Sequence, residues 1–349
     1  MTESFAQKAA RAQQRLISSS SLMMETLEGA ELCFPQLLNT SCKKPTRPHT
    51  GVMLFYFLSF ISLLTAALNL LVIISISHFR QLHNPTNLLL LSLAVSDFLV
   101  GLVVMPAEII LAETCWFLGD LVCAVYYLLP FIIVCASTAS MVLISVDRYV
   151  AICYPLHYPN KVTLKRVRIC VCLCWIYSLF ISIIILYANL KHPGRYNSCH
   201  GECVVNIAGD VDLVASFIIP ISIIITLYLR VFVVAVSQAR AMRSQIAAVT
   251  LQRSWTVTAK RSELKAARTL GIVVAVFLMC YCPYYCLALT GGNILIGSSA
   301  EAVMSFLMYF NSCLNPVIYA FFYPWFRKAL RLIVTFQVMQ PGSCKANIL

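Results

Sequence analysis

The sequence predicts an all-α membrane protein: a bundle of seven transmembrane helices followed by a short amphipathic C-terminal helix. Three observations predict it. Of the 349 residues 60% are hydrophobic and only 11% are charged, whereas a soluble globular domain carries about 25% charged residues; the apolar excess must therefore face lipid. Seven stretches reach the roughly 20 mostly apolar residues that a spanning helix needs. The net charge is +12, but the basic residues fall in short clusters between the apolar stretches. That is a topology signal, unlike the single basic stripe of a nucleic-acid-binding protein.

Ahead of the first span, residues 1–50 read as an outer N-terminal segment. Its first part, 1–23, is polar, Ser-rich and free of Cys, unlike the chain from Glu25 onward, and reads as a gene-model extension before a native start at Met24. Residues 1–50 lack the apolar core and small flanking residues of a cleavable signal peptide, which leaves the first span as the insertion signal. Asn39-Thr40-Ser41 is an N-glycosylation triplet. The spans are predicted at 51–78, 86–112, 119–153, 167–188, 207–236, 264–290 and 299–320, within a seven-helix domain over 51–320. The third and fifth runs extend past the lipid. In 321–335, Phe322, Trp325, Phe326, Leu330 and Ile333 alternate with Arg327, Lys328 and Arg331, as suits a helix lying on the membrane surface. Residues 336–349 read as a cytoplasmic tail.

Eighteen of the 26 Lys and Arg fall on one side if the N-terminus is outside: Arg80, then Arg148 to Arg168, Arg230 to Arg268, and Arg327 to Lys345. The opposite loops after the first span hold Lys191 and Arg195. This bias places the N-terminus outside and the C-terminus inside. The outer loops and helix ends carry Glu108, Glu113, Asp120, Glu202, Asp210 and Glu301. These acids either concentrate cations at the mouth or are ordinary solvated loop charge.

Of the 16 cysteines, Cys135, Cys170, Cys172, Cys174, Cys280, Cys282 and Cys286 sit within apolar runs, as small packing residues do. No CxxC pair meets His at zinc spacing, so no metal site is expected. No nucleophile–base set is visible, so the chain is not expected to be an enzyme. A transporter or channel would show internal repeats, helices broken at mid-membrane or a ring of pore charges; none is found, and the spans do not repeat.

An ionisable side chain inside the bilayer costs several kcal/mol and is a functional candidate for that reason. Asp97 lies in the second span, Asn69 in the first, Ser137 in the third, and Asn311, Ser312 and Asn315 in the seventh. Together they make a water network holding one sodium ion, or a hydrogen-bond network without an ion. Asp147-Arg148-Tyr149 ends the third span and Glu263 opens the sixth. Arg148 and Glu263 are either a latch between two helices or unrelated charges reaching for water.

Asn69, the SLAVSD run with Asp97, Cys123, Asp147-Arg148-Tyr149, Trp175, Pro220 with Tyr228, Pro283, and Asn315-Pro316-Val317-Ile318-Tyr319 occur one per helix, in order. This set resembles the rhodopsin-like (class A) G protein-coupled receptors over about residues 50–335. A narrower resemblance is to the trace amine-associated receptors, carried by LCFPQLLNTSC (32–42), HNPTNLLLLSLAVSDFLVGLVVMP (83–106), Cys115-Trp116, ISVDRYVAICYPLHY (144–158), VFVVAVSQAR (231–240) and YAFFYPWFRKAL (319–330). The resemblance implies a plasma-membrane receptor for amines, an olfactory sensor, signalling through a stimulatory or olfactory heterotrimeric G protein to cyclic AMP. Asp147, Arg148, Tyr149, Tyr228, Glu263 and Tyr319 would carry activation and coupling. It also implies a Cys123–Cys203 disulfide and a second bridge from the N-terminal segment to the same loop. That bridge is Cys42–Cys199; the sequence permits Cys33 instead, and Cys42 is favoured because it follows Asn39-Thr40-Ser41 as in family members. Outer-surface oxidation fits both.

Two positions depart from the family pattern. Most amine receptors have an aspartate seven residues past the third-helix cysteine, where this chain has Pro130, which can neither pair with an ammonium nor donate a hydrogen bond. The fifth helix offers a replacement. Asp212 lies eight residues before Pro220, and Asp212, Ser216 and Pro220 share a face at i, i+4 spacing, with Asp210 pointing about 200° away. The chain thus resembles a fish-expanded clade of the family that lacks the third-helix aspartate and carries one in helix five. A desolvated ammonium needs a facing carboxylate, and aromatic faces each add roughly 0.5–2 kcal/mol. Tyr127, Phe131 and Val134 on the third helix, Tyr281, Tyr284 and Tyr285 on the sixth, and Tyr309 on the seventh are the candidate lining, or are core packing. Glu108 or Glu301 would serve a diamine's second charge. Tyr281 stands where the family usually has Trp, before Pro283. The alternative within receptors is a non-amine odorant.

Overall fold

In the computed structural model the described residues are 31–37, 39–44, 49–111, 114–248, 271–286 and 299–348. Seven helices among them form one bundle: α1 (His49–His78), α2 (Pro85–Leu111), α3 (Asp120–Cys153), α4 (Leu164–Ile185), α5 (Gly209–Val234, helical on to Ala248), α6 (Gly271–Cys286) and α7 (Ser299–Phe322). α8 (Pro324–Val334) follows. No strand occurs among the described residues, which hold two isolated bridges, Leu32 with Lys43 and Ser41 with His200. Five helices, α1 to α5, are long and apolar enough to cross a membrane. Their outward residues are large and apolar: Met53, Phe57, Phe60 and Leu63 on α1, and Leu173, Ile176 and Phe180 on α4, are exposed. In a soluble monomer such a surface would aggregate; in a bilayer it meets lipid.

Local chemistry sets the helix ends. Asn84 caps α2, its Oδ1 accepting from the Asn87 N–H at 2.9 Å, with Pro85 at the first helical position. Thr163 caps α4. Pro324 starts α8, and Arg327 Nη1 donates to the Ala320 and Phe321 carbonyls at 3.0 and 2.8 Å, satisfying the end of α7. α8 buries Trp325, Phe326 and Ala329 and keeps Arg327 and Lys328 exposed. Pro130 lies inside α3, which remains helical through it; the cost is the N–H that would have met the Tyr126 carbonyl.

Polar side chains stitch the bundle where no water competes. Trp175 Nε1 of α4 donates to Ser92 Oγ of α2 at 3.3 Å, and Ser92 pairs with Ser140 of α3 at 3.1 Å. Asn69 Nδ2 of α1 donates to the Ser312 carbonyl of α7 at 2.9 Å. α1 and α2 touch through Gly101: Ser62 Oγ donates to its carbonyl at 2.7 Å, and a Cβ there would lie 2.6 Å from the Ala66 nitrogen, so only glycine allows this approach. Gly101 sits in a π-helical turn, Val100–Val104, and a second such turn, Leu213–Ile218, lies in α5. Turns of this kind shift the register of the residues beyond them and recur at functional sites.

Candidate functional site

Among the described residues three carboxylates are buried: Asp97, Asp147 and Asp212. Each defines a different part of the molecule.

Asp97 is fully enclosed. Its Oδ1 accepts from Ser312 Oγ at 2.8 Å and Ser137 Oγ at 3.4 Å, and its Oδ2 accepts from Asn315 Nδ2 at 2.8 Å. Near it, Asn69 Oδ1, Asn311 Nδ2 and Oδ1, and Asn315 Oδ1 are buried without a hydrogen-bond partner among the described residues. Leaving such atoms bare costs about 1–3 kcal/mol each. A carboxylate amid unpartnered amide oxygens and two serine hydroxyls is an oxygen-rich set of the kind a hard cation takes, so the residues fit a sodium ion.

Asp147 and Arg148 close the opposite end of α3. The Arg148 guanidinium pairs with Asp147, Nε donating to Oδ2 at 3.0 Å, and its Nη2 donates to Thr86 Oγ1 at 2.7 Å. Thr86 Oγ1 also donates to Asp147 Oδ2 at 3.0 Å, and Tyr158 Oη donates to Oδ1 at 2.8 Å. Burial, then the Asp147 charge, raises the Tyr158 phenol above its ordinary range, so it stays a donor. Arg148 is thus occupied within its own end of the bundle. Glu263, the expected latch partner, lies outside the described residues. Tyr149 touches Tyr154 edge-on at 5.8 Å. The buried hydroxyls of Tyr228 and Tyr319 have no hydrogen-bond partner among the described residues. Tyr319 is an electrostatic neighbour of Asp97 and Tyr228, and Tyr228 of Arg148, so the two phenols stand between the two charged centres.

Asp212 is 6% exposed in the first turns of α5. The Ser216 and Tyr285 hydroxyls face its carboxylate, and it has no Lys, Arg or His partner among the described residues. Asp210, two residues away, is exposed. The geometry that joins Asp212 to Ser216 differs from the expected α-helical face. Leu213–Ile218 is a π-turn, which widens the spacing per turn; Ser216 remains buried beside Asp212, while Pro220 is only partly buried. Tyr285 stacks on Phe217 with centroids 4.3 Å apart, and Tyr284 meets Tyr285 edge-on at 5.1 Å.

The remaining lining residues separate into two groups. Val134, Tyr281, Tyr285 and Tyr309 belong to the main core, Tyr281 lying on Phe277 at 4.1 Å. Tyr127 and Phe131 belong to an upper cluster with Cys123, Val205 and Cys203. Pro130 is buried between their positions on α3. Glu108 is an electrostatic neighbour of Tyr126 and Tyr309; the Glu301 side chain lies outside the described residues. One neighbour of Asp212 is a cysteine whose apolar run marks it only as a packing residue. Cys135 Sγ lies 3.3 Å from Ser216 Oγ and beside the Asp212 charge. Only the meeting of α3 with α5 could reveal it.

At the Asp212 end the loops are disulfide-bonded: Cys42 to Cys199, Cys123 to Cys203, and Cys33 to Cys115. The last pairing has no counterpart in the expectations above, where Cys33 stood only as a substitute for Cys42. Asn39 is exposed on the strap between Cys33 and Cys42.

Residues 68–319 match the family described as "7 transmembrane receptor (rhodopsin family)". The chain is 36% identical over 340 residues to trace amine-associated receptor 13c of Danio rerio, covering 94% of this chain and 98% of that one. It is 36% identical to trace amine-associated receptor 4 of Mus musculus (91% and 95% covered) and 36% identical to trace amine-associated receptor 9 of Homo sapiens (92% and 95% covered).

Proposed function

The chain belongs to the rhodopsin-family seven-transmembrane receptors, and within them to the trace amine-associated receptors, multi-pass membrane proteins that are not enzymes, and from that premise we propose that it senses protonated amines through Asp212. The observation that carries the reading is the state of the buried carboxylates. Asp97 has three side-chain donors and Asp147 has Arg148, but Asp212 has the Ser216 and Tyr285 hydroxyls facing it and no cationic partner among the described residues. A buried carboxylate without a cation is costly to keep ionised, and an incoming ammonium offsets that cost. Tyr285 beside it, Tyr284 against Tyr285 and Tyr309 next to Tyr284 offer aromatic contact to the ligand, and Phe131 and Val134 offer apolar contact for its tail. Because Pro130 replaces the usual third-helix acid, the amine binds in an inverted pose, headgroup toward α5.

In this reading the disulfide end faces outside the cell and the Asp147-Arg148-Tyr149 end faces the cytosol, at the plasma membrane. Three disulfides on one side and the basic clusters on the other support it. Ligand contact moves α6 about Pro283, frees Arg148, and engages a stimulatory or olfactory G protein that raises cyclic AMP. A sodium ion at Asp97, held with Ser137, Asn311, Ser312 and Asn315, would neutralise the buried charge and stabilise the inactive arrangement. Ligand affinity should then fall as sodium rises, and Asp97→Asn should remove the dependence; a variant that keeps it disproves the site.

The test of the whole reading is a cyclic-AMP reporter in intact cells with an amine panel applied from the medium across pH. If the ammonium is the ligand, potency holds below the amine's own pKa and falls about tenfold per pH unit above it, as the charged fraction does. Activation by neutral odorants alone, or potency that rises with pH, would sink the amine reading.

A further inference from the structure

The three disulfides do more than pin loops one at a time, because they close a single covalent ring. Cys33–Cys115 leads into chain 115–123, Cys123–Cys203 into 203–199, and Cys199–Cys42 into 42–33, which returns to the start. Without Cys33–Cys115 the N-terminal strap would be joined to the outer loops covalently at Cys42 alone.

The ring is also zipped internally. Cys33 N–H donates to the Cys42 carbonyl at 2.8 Å, Cys42 N–H to His200 at 2.9 Å, and His200 N–H to Thr40 at 2.7 Å. Trp116 N–H donates to Gly201 at 2.8 Å, and Phe34 N–H to Ser41 Oγ at 2.8 Å. Gly201 has φ +104°, and a Cβ there would lie 2.8 Å from Cys33 Cβ. Only glycine lets the loop pass this close to the bridge.

The ring also borders the candidate pocket. Trp116, next to Cys115, lies 5.8 Å from Tyr126, which meets Tyr127 edge-on at 5.2 Å. Cys203 and Val205 pack in one cluster with Tyr127 and Phe131. A strap held at one end can lift as a flap; a strap held at both ends cannot. We propose that Cys33 and Cys115 are specificity-determining residues: their bridge closes the ring, fixes the roof of the amine site, and restricts that site to small amines. The inference rests on the amine reading above.

The experiment compares wild type with Cys33→Ser/Cys115→Ser, which removes both halves of one bridge and leaves two bridges intact. Potencies are measured for a small primary amine and for a bulky N-substituted amine of the same charge, on receptor counted at the cell surface. The bulky amine should gain about tenfold in potency relative to the small one, equivalent to about 1.4 kcal/mol. A second variant, deletion of residues 1–38 with Cys115→Ser, opens the ring without leaving half a bridge and carries the same expectation. It decides the matter if the first fails to reach the surface. An unchanged potency ratio in the variant that reaches the surface overturns the specificity role alone. So does a non-reducing peptide map of wild type in which Cys33 and Cys115 are not joined. A wild-type receptor silent to every amine overturns the amine reading and this inference together.

Discussion

Asp212→Asn should raise the concentration of amine needed for half-maximal response by about 100-fold or more. Truncating one partner of a buried, hydrogen-bonded charge pair costs about 2–5 kcal/mol, and each 1.4 kcal/mol is tenfold. Asn keeps the size of the side chain and a hydrogen-bonding oxygen toward Ser216 and Tyr285, so the loss reports charge. Asp212→Glu should fall between, because the acid survives but its carboxylate is displaced within a packed site that includes Cys135 and Phe217. Asp210→Asn should change potency by no more than about threefold, since Asp210 is exposed and surface charges contribute little. Dose–response curves at matched surface expression decide the matter. Full potency in Asp212→Asn together with a loss in Asp210→Asn would mean that the other face of α5 binds the ligand.

The second large effect should appear without any ligand. Asp147→Asn removes the anion that Arg148, Thr86 and Tyr158 all converge on. Breaking a buried ion pair by neutralising one member costs about 3–5 kcal/mol. That cost falls on the arrangement in which Arg148 is held at the end of its own helix. If only 1.4 kcal/mol of it biases the resting equilibrium, the active fraction rises about tenfold. Basal signalling of Asp147→Asn should therefore rise severalfold at equal surface expression. Tyr158→Phe, which deletes one donor worth about 1 kcal/mol, should raise it less. Basal signalling that stays at the wild-type level in both variants would show that this network does not hold the resting state.

The three buried carboxylates were legible in the sequence to different depths. Asp97 and Asp212 were readable because an acid inside an apolar run is expensive wherever the run folds, and Asp147 through the Asp147-Arg148-Tyr149 triplet of the family pattern. The partners were not. Thr86 lies 61 residues from Asp147, and Ser312 lies 215 residues from Asp97; no local periodicity relates residues on different helices. Cys135 looked like any small apolar residue of α3 until α5 brought Ser216 against it. The α-helical spacing that assigns the face of α5 is replaced by the π-turn at Leu213–Ile218, and Asp212 is buried and Asp210 exposed with that turn in place.

The sequence by itself determined that this is a helical membrane protein. Hydropathy is a property of contiguous residues, and a spanning helix satisfies its backbone within its own segment. It determined equally that Pro130 cannot anchor an ammonium, because that follows from the side chain alone. The family resemblance implied Cys123–Cys203 and Cys42–Cys199, but only the tertiary structure decided that Cys33 and Cys115 are partners. The six cysteines at the loop end admit many pairings, and connectivity cannot be deduced from spacing. Bridging requires Cα atoms within about 7 Å, a distance set by how the strap, the α2–α3 turn and the α4–α5 loop pack together. At Cys33 and Cys115 that distance is 5.6 Å across 82 residues of chain.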